Sequence, residues 1–242
     1  MKKYIFRNWK YLVLVIILLI ILAPSYLYFG SLDWSKKHSA SVAALPEFSA
    51  KVDAGEFRLK VNNFEYLVRV AGMQNKGANL ILLHGFPESS IMWENLLKSA
   101  SKAGFRVLAF DQRGYSSGAR PTAVEDYQIS KLAADVIAVA DKVGFQNFHL
   151  VGHDWGSVVG WKTVMDFPNR IQSFTAMSIP HPAAFLEAVL NDSVQKQRSS
   201  YFKFFQKSYL PEFLMTYNHQ KNMRGLLVGL GRFVRRLIST AL

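Results

Sequence analysis

The chain has 242 residues, half of them apolar, enough for one large domain with its own core. It has no cysteine, which excludes disulfides, thiolate metal sites and cysteine catalysis together and leaves the redox compartment open. The net charge of +12 lies at the ends: residues 1–37 carry six Lys/Arg against one acid and residues 196–242 nine against one, leaving 14 basic and 15 acidic residues between them. The body therefore offers no basic face to a phosphate backbone, and nucleic acid is not an expected partner.

Residues 1–10 form a basic tail, with Lys2, Lys3, Arg7 and Lys10. They precede an apolar stretch over 11–29, interrupted only at Pro24 and Ser25, that is long enough to span a hydrocarbon core of ~30 Å, with Trp9, Tyr28 and Trp34 as interfacial aromatics. The segment reads as a single-pass membrane anchor. The charge bias leaves the N-terminus in the cytoplasm and the body on the extracytoplasmic side. The alternative is a signal peptide cleaved after the small residues near Ala23, releasing a secreted body. Residues 30–55, without clear periodicity, read as a linker.

From residue 56 the pattern is regular. Glu56–Val61 and Glu65–Val70 alternate like strands and meet across Asn62-Asn63, a hairpin signal. Short apolar runs at Leu80–Leu83, Val107–Phe110, Phe148–Val151 and Phe174–Ile179 read as parallel strands buried on both faces. Helical stretches alternate with them: Ser90–Ala103 stopped by Gly104, Ile129–Val143 stopped by Gly144, and Ser157–Phe167 stopped by Pro168. The expected fold is α/β, a mostly parallel sheet flanked by helices over 56–182, with chemistry at the carboxyl ends of the strands, just after Leu83, Phe110 and Val151.

After Val151 comes Gly152-His153-Asp154-Trp155-Gly156-Ser157, then a helix. A strand, a sharp turn and a helix force the central side chain outward, and the flanking glycines let backbones pass where a Cβ would clash. Asp154 holds that central position; Ser157 comes one helical step too late. A carboxylate there can attack an electrophilic carbon and form an alkyl ester, whereas serine would point to acyl transfer. The plainer alternative for Asp154 is a helix N-cap. His153 is expected to pack or hydrogen-bond, and Trp155 to line either the core or a pocket. His84-Gly85-Phe86-Pro87 follows the strand ending at Leu83, so the backbone N–H groups of Phe86 and Trp155 can face the charge that builds on an ester carbonyl.

His84-Gly-Phe-Pro-Glu-Ser, Asp111-Gln-Arg-Gly-Tyr and Gly152-His-Asp-Trp-Gly together resemble the epoxide hydrolase branch of the α/β-hydrolases over roughly residues 56–190. The resemblance implies that Asp154 opens an epoxide, that Phe86 and Trp155 form the oxyanion hole, and that a His with an acidic partner activates water. Asp111 and Arg113 are read as stabilising their own turn. The family's helical cap is expected from residue 183, with helix-like Ala183–Asn191 and Val194–Gln206. Its first proton-donating tyrosine falls on Phe204, so Tyr201, Tyr209 or Tyr217 would have to donate the proton. The last two strands, with the acid and the His, should follow the cap, yet His181 and His219 fit neither place, and residues 225–238 are unlike the family. These features read as a truncated or frameshifted chain, with 183–242 as cap helices and tail. A haloalkane dehalogenase is the enzyme alternative, disfavoured by Phe86 where a polar halide ligand belongs; a catalytically incomplete fragment is the other. The expected partners are a small apolar substrate and the membrane, with no metal and no cofactor.

Overall fold

The computed structural model describes residues 36–207 and Pro211. Six strands form one sheet in the order β1-β2-β4-β3-β5-β6: β1 (Gly55–Val61), β2 (Phe64–Ala71), β3 (Asn79–Leu83), β4 (Arg106–Phe110), β5 (Phe148–His153) and β6 (Ile171–Met177). The β1–β2 hairpin is antiparallel and joins β4 antiparallel; β3, β4, β5 and β6 run parallel. Asn62, at the hairpin turn, takes a φ of 52°. Three helices connect the parallel strands: α1 (Glu94–Lys102), α2 (Ile129–Lys142) and α3 (Trp155–Asp166).

The sheet is covered on both faces, and its period-two alternation divides β3 between two cores. Ile81 and Leu83 join Val68, Phe110 and Leu150 with Val136, Val139 and Ala140 of α2 and Val159 of α3. Leu80 and Leu82 join Val107 and Ala109 with Trp93 and with Leu97 and Ala100 of α1. Each such Leu or Ile contributes ~1.5–3 kcal/mol by leaving water, so this central layer fixes the register of the strands that carry the site.

Three local expectations shift. The helix expected over Ser90–Ala103 begins as a 3-10 turn, Ser90–Trp93, before α1. The last strand lies at Ile171–Met177 rather than Phe174–Ile179, ended by Ser178 at a φ of 73°. It is a sheet edge among the described residues: Ser173 and Thr175 alternate outward, Gln172 is exposed where the pairing register shifts, and the apolar run is not its signature. Beyond it, α4 (Pro182–Asn191) matches the expected start of the next helix, whereas the stretch expected over Val194–Gln206 is broken into α5 (Ser193–Arg198) and α6 (Tyr201–Phe205).

The supposed linker also differs. Residues 36–43 are helical, and the chain then lies along β1: the Phe48 N–H donates to the Arg58 carbonyl at 2.8 Å, the Arg58 N–H to the Pro46 carbonyl at 2.9 Å, and the Phe48 ring meets Phe57 edge-on. Backbone pairing to a strand edge leaves no periodicity for a sequence reading to detect. By internal contacts, 38–196 form one compact unit and 197–242 with 1–37 another. In the second unit the described residues are 36–37, 197–207 and Pro211, and on α6 Tyr201 packs against Phe202 and Phe205. Among the described residues no helix is long and apolar enough to cross a membrane; the 11–29 segment lies outside them.

Candidate active site

Strands β3 and β5 are neighbours, with Leu83 opposite Gly152, so the loops leaving their carboxyl ends run side by side. Asp154 occupies the turn from β5 to α3 at a φ of 52° and ψ of −120°, a conformation few L-residues adopt. Its side chain does not cap α3. Instead Oδ1 accepts the Phe86 N–H at 2.9 Å, across 68 residues of sequence. Oδ2 takes no hydrogen bond among the described residues. The Trp155 N–H, on the first residue of α3, makes none to the carboxylate either, and Trp155 is 53% exposed.

The glycines are required by close approach. A Cβ on Gly156 would lie 2.3 Å from the Leu83 carbonyl oxygen, and one on Gly152 2.4 Å from the Gly156 oxygen. A Cβ on Gly85 would lie 2.6 Å from the Asp154 Cβ, so the turn and the β3 loop touch backbone to side chain. Ser157 is buried: its hydroxyl lies 2.6 Å from the Gly152 carbonyl and accepts the Met177 N–H at 3.1 Å, while the Asp154 N–H donates to the Met177 carbonyl at 3.1 Å. The turn is thereby fastened to β6.

The loop carrying Phe86 is held from the other side by the loop after β4. His84 is 1% exposed; its Nε2 accepts the Gln112 N–H at 3.0 Å, and Nδ1 lies 3.0 Å from the Gly85 carbonyl, so Nδ1 carries the proton. Burial pushes the His84 imidazole below its ordinary value, with the Gly85 carbonyl opposing. Gln112 Nε2 returns a bond to the His84 carbonyl at 2.6 Å. Asp111 and Arg113 reach beyond their own turn: Asp111 Oδ1 accepts both the N–H and the hydroxyl of Ser90, while Arg113 forks onto Asp135 of α2 at 2.6 and 2.8 Å. Phe86-Pro87 is a cis peptide.

Tyr115 was not singled out in the sequence; its ring packs edge-on against His84 at 4.5 Å. Burial, followed by the Asp154 carboxylate, pushes its phenol up to about 12. Glu88 is the other omission, lying 3.4 Å from His153. Both lie inside motifs that carry the resemblance, but what they touch is set by the pairing of β3 with its neighbours. His181 is structural: Nδ1 accepts the Ala183 N–H at the start of α4, and its ring packs on Trp161. Tyr201 lies on α6 in the second unit, while Tyr209, Tyr217 and His219 fall outside the described residues.

Residues 78–222 match the family model described as alpha/beta hydrolase fold. The chain belongs to the α/β-hydrolase family. This α/β-hydrolase is 34% identical over 184 residues to epoxide hydrolase 4 of Mus musculus, covering 74% of this chain and 51% of the relative. It is 40% identical over 114 residues to epoxide hydrolase A of Mycobacterium tuberculosis, covering 47% and 35%. Among solved structures, Bacillus megaterium epoxide hydrolase in complex with an inhibitor is similar at a TM-score of 0.66 and 29% identity, over 72% of this chain and 60% of that one. The α/β-hydrolase thus resembles the epoxide hydrolase branch and spans about half the length of the curated relatives it matches.

Proposed function

We propose that this α/β-hydrolase is of the epoxide hydrolase type, with Asp154 as nucleophile and a small apolar epoxide as substrate. The observation that carries the reading is the hydrogen bond from Phe86 N–H to Asp154 Oδ1, made by a side chain that leaves its own helix uncapped. With Oδ1 engaged, Oδ2 attacks an epoxide carbon. The carbon–oxygen bond opens, the oxygen takes a proton from a tyrosine (Tyr201, Tyr209 or Tyr217), and an alkyl ester forms on Asp154. Water then adds to Cγ, the oxyanion forms at Oδ1 against the N–H groups of Phe86 and Trp155, and collapse breaks the Cγ–Oδ2 bond; one water proton passes to the departing alkoxide to give the diol and the other returns to the tyrosine, leaving the carboxylate restored. Phe86, whose N–H holds the carboxylate, and Trp155, next to it in the chain, are exposed apolar residues and favour an apolar substrate. His84, Gly85, Pro87, Gly152, His153 and Gly156 shape the two loops. The N-terminal apolar segment tethers the body on the extracytoplasmic side of a membrane; the alternative is release by signal cleavage.

A second reading is a half-site that alkylates once. It is favoured by three of the described histidines: His84 has both ring nitrogens engaged, His149 bonds Ser173 and His181 caps α4. The test is to incubate the full chain with styrene oxide, following diol by chromatography and adduct by intact mass. Sustained diol supports the enzyme, adduct without turnover the half-site, and the absence of both rejects each. Asp154→Asn must abolish either signal.

A further inference from the structure

A serine and a histidine meet away from the nucleophile turn, and the reaction at Asp154 uses neither. His149 of β5 and Ser173 of β6 stand directly opposite each other in the parallel ladder, with Ser173 Oγ 2.7 Å from His149 Nδ1. With Val151 they share one sheet face by the period-two alternation, the face on which α1 packs over β3 and β4. Ser173 is exposed there and His149 half-buried. The Phe105 ring meets the imidazole edge-to-face at 6.3 Å and so holds its plane. Phe105 and Val151, both half-buried, supply apolar surface beside the pair.

A hydroxyl at this distance from an imidazole has the geometry of a nucleophile beside its base: with the ring proton on Nε2, Nδ1 accepts the Ser173 hydrogen. A donor for the charge that builds on an acyl oxygen is also at hand. In a parallel ladder the N–H and C=O of one residue point to the same side, and the side alternates along the strand. The Met177 carbonyl accepts the Asp154 N–H, so Met177, Thr175 and Ser173 face β5. The Phe174 N–H therefore faces the outer edge, where β6 has no neighbouring strand among the described residues. We propose that Ser173 and His149 form a second, acyl-accepting site for activated carboxylic esters, with the Phe174 N–H as oxyanion donor, independent of the chemistry at Asp154. Ser173 Oγ bonds to the ester carbonyl carbon as His149 Nδ1 takes the hydroxyl proton. The oxyanion collapses as the bond to the leaving oxygen breaks, the imidazolium returns its proton to that oxygen, and an acyl ester remains on Ser173.

The probe is p-nitrophenyl acetate added to the full chain, with nitrophenolate release followed by absorbance and the acetyl group located by peptide mapping. Acetyl is expected on Ser173, and Ser173→Ala should remove it. His149→Gln, whose amide can still accept the hydroxyl hydrogen bond but cannot take the proton, should slow acetylation of Ser173 about a hundredfold, and His149→Phe should do the same. A contact that only braced β5 against β6 would leave His149→Gln at the wild-type rate. Because Ser173 is exposed and His149 only half-buried, all three variants should keep a urea midpoint close to wild type, which separates loss of the base from loss of the fold. No acetyl group at Ser173, including acetyl on lysines alone, or acetylation of Ser173 in His149→Gln as fast as in wild type, overturns the proposal. Styrene oxide reports on Asp154 in a separate incubation, so either site can fail without the other.

Discussion

Asp154 stores strain: a φ of 52° with ψ near −120° costs on the order of 1–3 kcal/mol and persists because Met177, Ser157 and Phe86 each fix a different part of the turn. Asparagine has the shape of aspartate, so it adds no strain at these angles, and its amide oxygen can still accept from Phe86. Asp154→Asn is therefore expected to keep its unfolding free energy within about 1 kcal/mol by urea titration while forming no adduct. Gly156→Ala should behave oppositely. Its Cβ meets backbone oxygens of Leu83 and His84 that cannot swing away, so a loss of about 3 kcal/mol or more is expected, with soluble yield falling accordingly. These two positions were legible because the elbow is a local pattern of glycine spacing. Glu88 and Ser157 were not, because what they touch is decided by which strand lies beside which.

The two loops that shape the site are cross-braced elements, and the brace has a titratable member. His84 sits in the folded chain below its usual 6.5, so the unfolded state takes up its proton first as pH falls. Its stabilising contribution is complete above that value and is lost on acidification below it. Urea unfolding should therefore weaken from about pH 7 to about pH 5, and His84→Asn should show a shallower decline. A second brace, Arg113 to Asp135, ties the β4 loop to α2 through two short bonds between buried side chains. Asp135→Asn leaves a buried guanidinium without its counter-charge and is expected to cost about 3–5 kcal/mol by the same titration. The sequence reading assigned Arg113 to its own turn because residues 22 apart on different elements leave no shared period. Strands β3 and β4 were legible for the opposite reason: burial on both faces produces an unbroken apolar run.

At the scale of the molecule, the tether and the body make separable expectations. If 11–29 anchors the chain, the full-length protein stays in the membrane pellet after an alkaline wash, and its intact mass retains Met1; a soluble species shortened near residue 23 would establish cleavage instead. The fold class and the order of its units followed from alternating strand and helix signals. The packing of 44–53 onto β1 did not, because that stretch is held by backbone bonds to a strand edge and by a few rings. Among the described residues β6 ends the sheet, and edge strands open more readily than central ones. Yet it is β6, through Met177, that grips the Asp154 amide. Amide exchange should then be faster at Asp154 and Met177 than at Ile81 or Leu82, making the exchange clock of this edge a direct measure of how often the nucleophile loses its alignment.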